Sequence, residues 1–182
     1  MTQSESASAP PRYYGKYRAT VRNNLDPMQT GRIMADVTDL GLTLSNLCLP
    51  CLPSGGTQAG CFAVPPIGAH VWIEFEQGDP DFPIWSGCFW ENATEVPTDA
   101  YSVPPPPGGQ NIVFQTSMQT TLTLSDSVAT PDSGGVVLKD KSGACIVVNS
   151  TGIYIRSADG LTIELTAGLV SINGAALTIA RA

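Results

Sequence analysis

Apolar and polar residues alternate in short runs along the second half of the chain, and a glycine breaks the alternation about every eight residues, at Gly135, Gly143, Gly152, Gly160, Gly168 and Gly174. Between these breaks Ile146 and Val148, Ile153 and Ile155, Leu161, Ile163 and Leu165, Val170 and Ile172, and Leu177 and Ile179 share one strand face. Asn149, Tyr154, Arg156, Thr162, Glu164, Ser171 and Thr178 fall on the other. Alternation with a period of two predicts short β-strands. Its recurrence predicts a stacked β architecture in which each unit buries its apolar face only against its neighbours. A single strip would leave that face wet and two sheet edges unpaired. Copies wound around a common axis remove both defects, with hydrogen bonds running between chains. Upstream, Ile112, Phe114, Met118, Leu122 and Leu124 alternate with polar residues as one long or two short strands, and Asp126 to Gly135 reads as a loop.

The first half predicts about five strands: Tyr14 to Asn23, Arg32 to Val37, Asn46 to Leu52, Ala69 to Glu76 and Pro83 to Trp90, with a turn at Asp26-Pro27. That count fits a small Greek-key barrel of the OB type and equally an SH3-like barrel. In Ala69 to Glu76, Val71, Ile73 and Phe75 face one way, while Trp72 shares the other side with His70, Glu74 and Glu76. Strict alternation through the last strand puts Trp85 and Phe89 on one face and Ile84, Cys88 and Trp90 on the other. Neither face reads as a solvent face. A barrel core behind and a subunit contact in front, made by Trp72, Trp85, Phe89 and Trp90, accounts for this. A cover formed by the loop Cys48 to Pro66 is the alternative.

The expected organisation is a disordered lead over 1–11, a barrel over 12–90, a linker over 91–110 and a β-needle over 111–182. The linker holds Pro104 to Pro107 followed by Gly108 and Gly109, which predicts a stiff extended spacer. With 18 Gly, 15 Pro and 14% charged residues, the composition opposes helices, and the fold class expected is all-β.

The net charge of −7 is concentrated in residues 1–111, where eleven acids face five bases, Arg12, Lys16, Arg18, Arg22 and Arg32. Nucleic acid is excluded as an expected partner, because a phosphate-binding surface needs clustered cations. No stretch approaches a membrane span, and residues 1–11 lack the basic and apolar regions of a signal peptide. Five cysteines, an odd number, suit free thiols in a reducing compartment.

Candidate chemistry is sparse. Cys48 and Cys51 have zinc-ligand spacing, and Cys61 and Cys88 are the thiols that would complete a site, yet no second C-x-x-C exists and packing is the simpler role. His70 is the single histidine and has no nucleophile in a suitable turn context. Glu74, Glu76, Asp79 and Asp81 read as a solvated hairpin rather than a cation site. No catalytic residue, metal site or cofactor is expected.

Gly31-Arg32, Leu49-Pro50, Val64 to Ala69, Val71 to Asp81 and Pro83 to Trp90 together resemble the OB domain of phage baseplate spike (hub) proteins, shared with the spikes of type VI secretion and extracellular injection systems. The resemblance covers roughly Tyr14 to Trp90. It implies a homotrimer, a collar of OB domains at the end of an inner tube, and C-terminal segments wound into an intertwined trimeric β-helix. Its core would be Ile146, Val148, Ile153, Ile155, Leu161, Ile163, Leu165, Ile172, Leu177 and Ile179. Some relatives carry a lysozyme domain where this chain has only a linker, and others end in a His-x-His iron tip where this tail has no histidine. A separate PAAR-like tip protein contacting Leu177 and Ile179 is therefore expected. The implied partners also include inner tube, hub and baseplate proteins, with transient contact to a target envelope. The implied setting is assembly in the cytoplasm into a phage tail or phage-tail-like particle. A carbohydrate-binding or carbohydrate-degrading β-helix is the competing reading.

Overall fold

The computed structural model describes residues 11–44, 46–101, 109–174 and 176–180. The expected N-terminal lead, apart from Pro11, and the four linker prolines lie outside them. The chain divides into two units, one ending at Glu91 and the other beginning at Asn92.

The first unit is built on β1 (Tyr17–Asn23), β2 (Met34–Val37), β3 (Leu42–Thr43), β4 (Leu49–Pro50), β7 (His70–Phe75) and β8 (Pro83–Phe89), hydrogen-bonded in the order β3-β2-β1-β7-β8-β4. A separate small hairpin pairs β5 (Gly55–Gly56) with β6 (Ala59–Gly60). The sheet closes on itself. Cys48, just before β4, exchanges backbone hydrogen bonds of 3.2 and 2.7 Å with Ile33, just before β2. Closure removes the sheet edges and makes the unit a barrel. Alternation sends Ala19, Val21, Ile33, Ala35, Val37, Val71, Ile73 and Phe75 inward, all buried, and Cys48 joins them.

One strand departs from strict alternation. Ile73 pairs with Trp85 but Val71 pairs with Cys88, so two residues of β8, Ser86 and Gly87, oppose the single residue Trp72. This is a β-bulge, and Gly87 takes a φ of +127° within it. The extra residue reverses the facing beyond it. Trp85 therefore points into the core, 5% exposed, with its Nε1 donating to the Gly31 carbonyl at 3.1 Å. Phe89 lies on the opposite, outer side beside Trp72. The sequence-based placement of Trp85 and Phe89 on one face, and of Trp85 in a subunit contact, is thus corrected.

The second unit opens with two 3-10 turns, Ala93–Glu95 and Thr98–Tyr101, within the stretch expected to be a linker. An eight-stranded antiparallel sheet follows: β9 (Asn111–Gln115), β10 (Thr121–Thr130), β11 (Ser133–Lys139), β12 (Cys145–Asn149), β13 (Gly152–Arg156), β14 (Thr162–Thr166), β15 (Leu169–Ile172) and β16 (Leu177–Ala180). Each strand pairs with the next. The ladder's hydrogen bonds are therefore internal to the chain, not between chains as the sequence reading placed them. Residues 126–135 are mostly strand and not loop: β10 and β11 continue past a register shift into an arm whose strands meet again at Thr130 and Ser133.

The glycine period is a hairpin period. At Gly160, for example, the amide returns to the Ser157 carbonyl at 3.1 Å with a φ of +85°, closing a tight turn between β13 and β14. Gly135 has a further reason to lack a side chain. A Cβ there would lie 2.3 Å from the Val148 carbonyl oxygen, and its φ is +70°.

Two substitutions separate these causes. Gly160→Ala meets nothing within 4 Å and should show only the left-handed backbone penalty of about 1–2 kcal/mol. Gly135→Ala adds a backbone clash and should lower the thermal midpoint clearly further. Equal losses would show that the β11–β12 approach is not what excludes a side chain at 135.

Candidate functional site

Among the described residues, the features with functional content are surfaces. The largest is one face of the C-terminal sheet. The pairing register aligns its apolar residues into two unbroken ladders. One runs Ile112, Leu124, Val136, Val148, Ile153, Leu165, Val170, Ile179. The other runs Phe114, Leu122, Leu138, Ile146, Ile155, Ile163, Ile172, Leu177. No polar residue interrupts either. Thirteen of the sixteen are between 37% and 63% exposed in the single chain. Nine of the ten residues expected to form a needle core stand in these ladders, and Leu161 sits one step beyond, in the turn before β14. Leu177 and Ile179, the expected tip contacts, are exposed on the last strand.

The opposite face is covered by the chain itself. Asn149 and Arg156 project there. Asn149 Nδ2 donates to the carbonyls of Thr130 and Ser133 at 2.7 and 2.8 Å, and Arg156 pairs with Asp132. These contacts tie the tip of the β10–β11 arm back onto the sheet, and Val147 and Tyr154 on that face are buried. Tyr154 also shares a 2.8 Å hydrogen bond with the Thr151 hydroxyl. One side is thus finished within a single chain and the other is bare. Contiguous apolar surface of this extent marks an interface.

On the barrel, the outer side of β1, β7 and β8 carries a cluster that alternation located only in part. The Trp72 and Phe89 rings lie 4.7 Å apart, and the Arg18 guanidinium stands 5.2 Å from the first and 4.9 Å from the second. His70 lies 5.4 Å from Phe89 and 3.4 Å from the Glu91 carboxylate. Trp90 is exposed at the end of β8.

The β1–β2 connection holds a feature that sequence reasoning reduced to a turn. The Asp26 carboxylate, 4% exposed, accepts from the amides of Met28, Thr30 and Arg32, from the Thr30 hydroxyl, and from Arg32 Nε and Nη2 at 3.0 and 2.6 Å. The Arg32 hydrogen bonds, helped by those from Thr30 and Met28, hold this carboxyl far below the usual carboxylate range. An Asp followed by Thr, Gly and Arg is the signal that was available for it.

The other candidates separate. Cys48 is buried in the core, which pushes its thiol up to about 12, whereas Cys51, Cys61 and Cys88 are exposed. Among the described residues these four thiols form no ligand cluster. Glu74 pairs with Lys16 and accepts from the Ser86 hydroxyl, while Asp79 pairs with Arg12 and caps the Asp81 amide, so the carboxylates of this hairpin are engaged separately.

A closed OB-type barrel followed by a meander with one unfinished face defines a class: a barrel module joined to an oligomerising β-sheet. Residues 17–90 match the family described as the Type VI secretion system/phage-baseplate injector OB domain, and residues 111–178 match the phage baseplate V C-terminal trimerisation domain. Each of the two units thus matches a model of a phage baseplate module, an injector OB domain and a trimerisation domain. The chain is also similar to the Type VI secretion system spike protein VgrG5 of Pseudomonas aeruginosa, 40% identical over 43 residues. Those residues are 24% of this chain and 5% of that protein.

The Asp26 clamp carries a pH dependence of definite sign. A carboxyl depressed in the folded state adds stability that is whole above its ordinary value of 3.8 and drains away as pH falls below it. Acid titration of barrel unfolding should therefore show a loss between about pH 4 and pH 2 that Asp26→Asn lacks, the variant being less stable at neutral pH. An unchanged acid profile in Asp26→Asn would assign that loss to other carboxylates.

Proposed function

We propose that the chain is a structural, homotrimeric central spike of a contractile injection machine, in a phage tail baseplate or a phage-tail-like particle. The observation that carries this reading is the bare two-ladder face on a unit that matches a trimerisation domain. Three such sheets, each turning its aliphatic face inward and its arm-covered face outward, would close a dry three-sided prism. Eight strands at about 4.8 Å spacing give each wall roughly 34 Å along the axis. The hydrogen bonds of each wall lie within one chain, and the walls are held together by side-chain packing.

In this reading the barrel caps an inner tube and meets hub and baseplate proteins, and the prism transmits contraction force to the target envelope. The last strand of the sheet among the described residues, with Leu177 and Ile179 exposed, would be covered by a separate PAAR-like tip protein. Assembly would take place in the cytoplasm, before incorporation into the particle. The role is mechanical and not catalytic. A sugar-binding groove finds little support, since Tyr154 is buried and Phe114 stands at the first strand of an apolar ladder.

Facing provides the test. Ile163→Asp puts one charge per chain into the proposed dry interior and should abolish the trimer, read by native mass spectrometry. Thr162→Asp, on the other face of the same strand, should leave it intact. Trimers in both variants, or in neither, would contradict the proposed packing.

A further inference from the structure

Four of the five Lys and Arg residues in the first half of the chain are engaged by carboxylates of the barrel itself. Arg12 pairs with Asp79 at 2.9 Å, Lys16 with Glu74, Arg22 with Asp36 at 3.4 Å and Arg32 with Asp26 at 2.6 Å. Arg18 is the exception. Among the described residues it makes no ion pair, although eleven acids stand in residues 1–111.

Its contacts are aromatic instead. Arg18 lies directly across from Trp72 in the β1–β7 pairing. The bulge at Ser86 and Gly87 turns Phe89 onto the same outer face, where regular alternation would have sent it inward with Trp85. The guanidinium thus stands 5.2 Å from one ring and 4.9 Å from the other, with Arg18 exposed and both rings half-buried. The carboxylates of this face are committed elsewhere: Glu74 to Lys16 and the Ser86 hydroxyl, and Asp36 to Arg22. Glu91, just after β8, lies 3.4 Å from His70.

Ring contact fixes where a guanidinium stands, and the partner that its planar fork fits is a carboxylate held by two parallel N–H bonds. The flanking rings also exclude water, which strengthens such a pair. A phosphate polymer would need several unpaired cations and would meet the barrel's excess of acids. One Arg suits one carboxylate. Small ligands favour concave sites, whereas this seat lies on the outer face of a sheet, which suits a protein surface. We infer that Arg18, Trp72 and Phe89 form a docking seat for an Asp or Glu side chain of a partner protein, with an apolar neighbour of that residue lying on the rings. The seat is complete within one barrel, so the inference does not depend on the trimeric reading.

The test uses the full-length chain labelled with 5-fluorotryptophan, whose three tryptophans each give one fluorine NMR signal, Trp72 being assigned from Trp72→Phe. The probes are the blocked tripeptides Leu-Asp-Leu and Leu-Asn-Leu. The Asp peptide should shift the Trp72 signal saturably, and the Asn peptide should bind about tenfold more weakly or worse, because it lacks the charge. Arg18→Gln should cost the Asp peptide a similar factor while leaving the thermal midpoint of the barrel unchanged. The comparison of the two peptides is made on the unaltered chain and stands even where the variant misfolds. Equal binding of both peptides, or no saturable shift with either, overturns the inference. A short single-stranded oligonucleotide that shifts Trp72 more strongly than the Asp peptide also overturns it, assigning the seat to phosphate.

Discussion

An antiparallel meander satisfies the backbone along its length, yet it is not a stable object in water when one whole face is aliphatic. The C-terminal unit is in that condition. Its register stacks sixteen apolar side chains into two ladders without a polar interruption. Covering each half-exposed apolar side chain is worth on the order of 1 kcal/mol. With thirteen such residues per chain, the sum is comparable to the roughly 4–15 kcal/mol that association costs in lost freedom. Covering this face is what the rest of the molecule depends on. The arm formed by β10 and β11 supplies cover for the opposite face from within the chain, so the open face is left for other chains.

The barrel is a different physical case. Its sheet closes through the Ile33–Cys48 exchange, its core is complete in one chain, and its β1–β2 connection is organised by a single carboxylate. The two units divide the work accordingly. One folds on its own interior and presents stiff loops, while the other covers one face from within the chain and leaves the other, apolar face bare. The match to a trimerisation domain belongs to the second unit and the injector OB match to the first.

Much of this was legible in the residues. The tail's alternation placed Ile146 and Val148, Ile153 and Ile155 on one face because the strands are short and regular and a hairpin turn resets each one. The same rule failed in β8, where Gly87 admits a bulge and Trp85 turns inward. A glycine inside a strand is the available warning, though it does not say which residues slip. The stretch 126–135 read as a loop because its strand pairing depends on a register shift and on Asn149 and Arg156, which lie far along the chain. The glycine spacing itself fitted strands shared between chains as well as hairpins within one. Which of the two a chain adopts is decided by pairing, and pairing leaves no mark in a single strand's composition. Asp26 was visible as a turn former. Its role as acceptor for Arg32 and three amides emerges only once the loop has folded around it.

The central claim is that the unfinished face is closed by two further copies of the chain. Its most direct test is the solution mass of the purified full-length protein by light scattering, followed over a dilution series. The account predicts three times the chain mass, unchanged on dilution. A stable, well-folded monomer would contradict it, because the ladders would then stand in water with nothing to cover them.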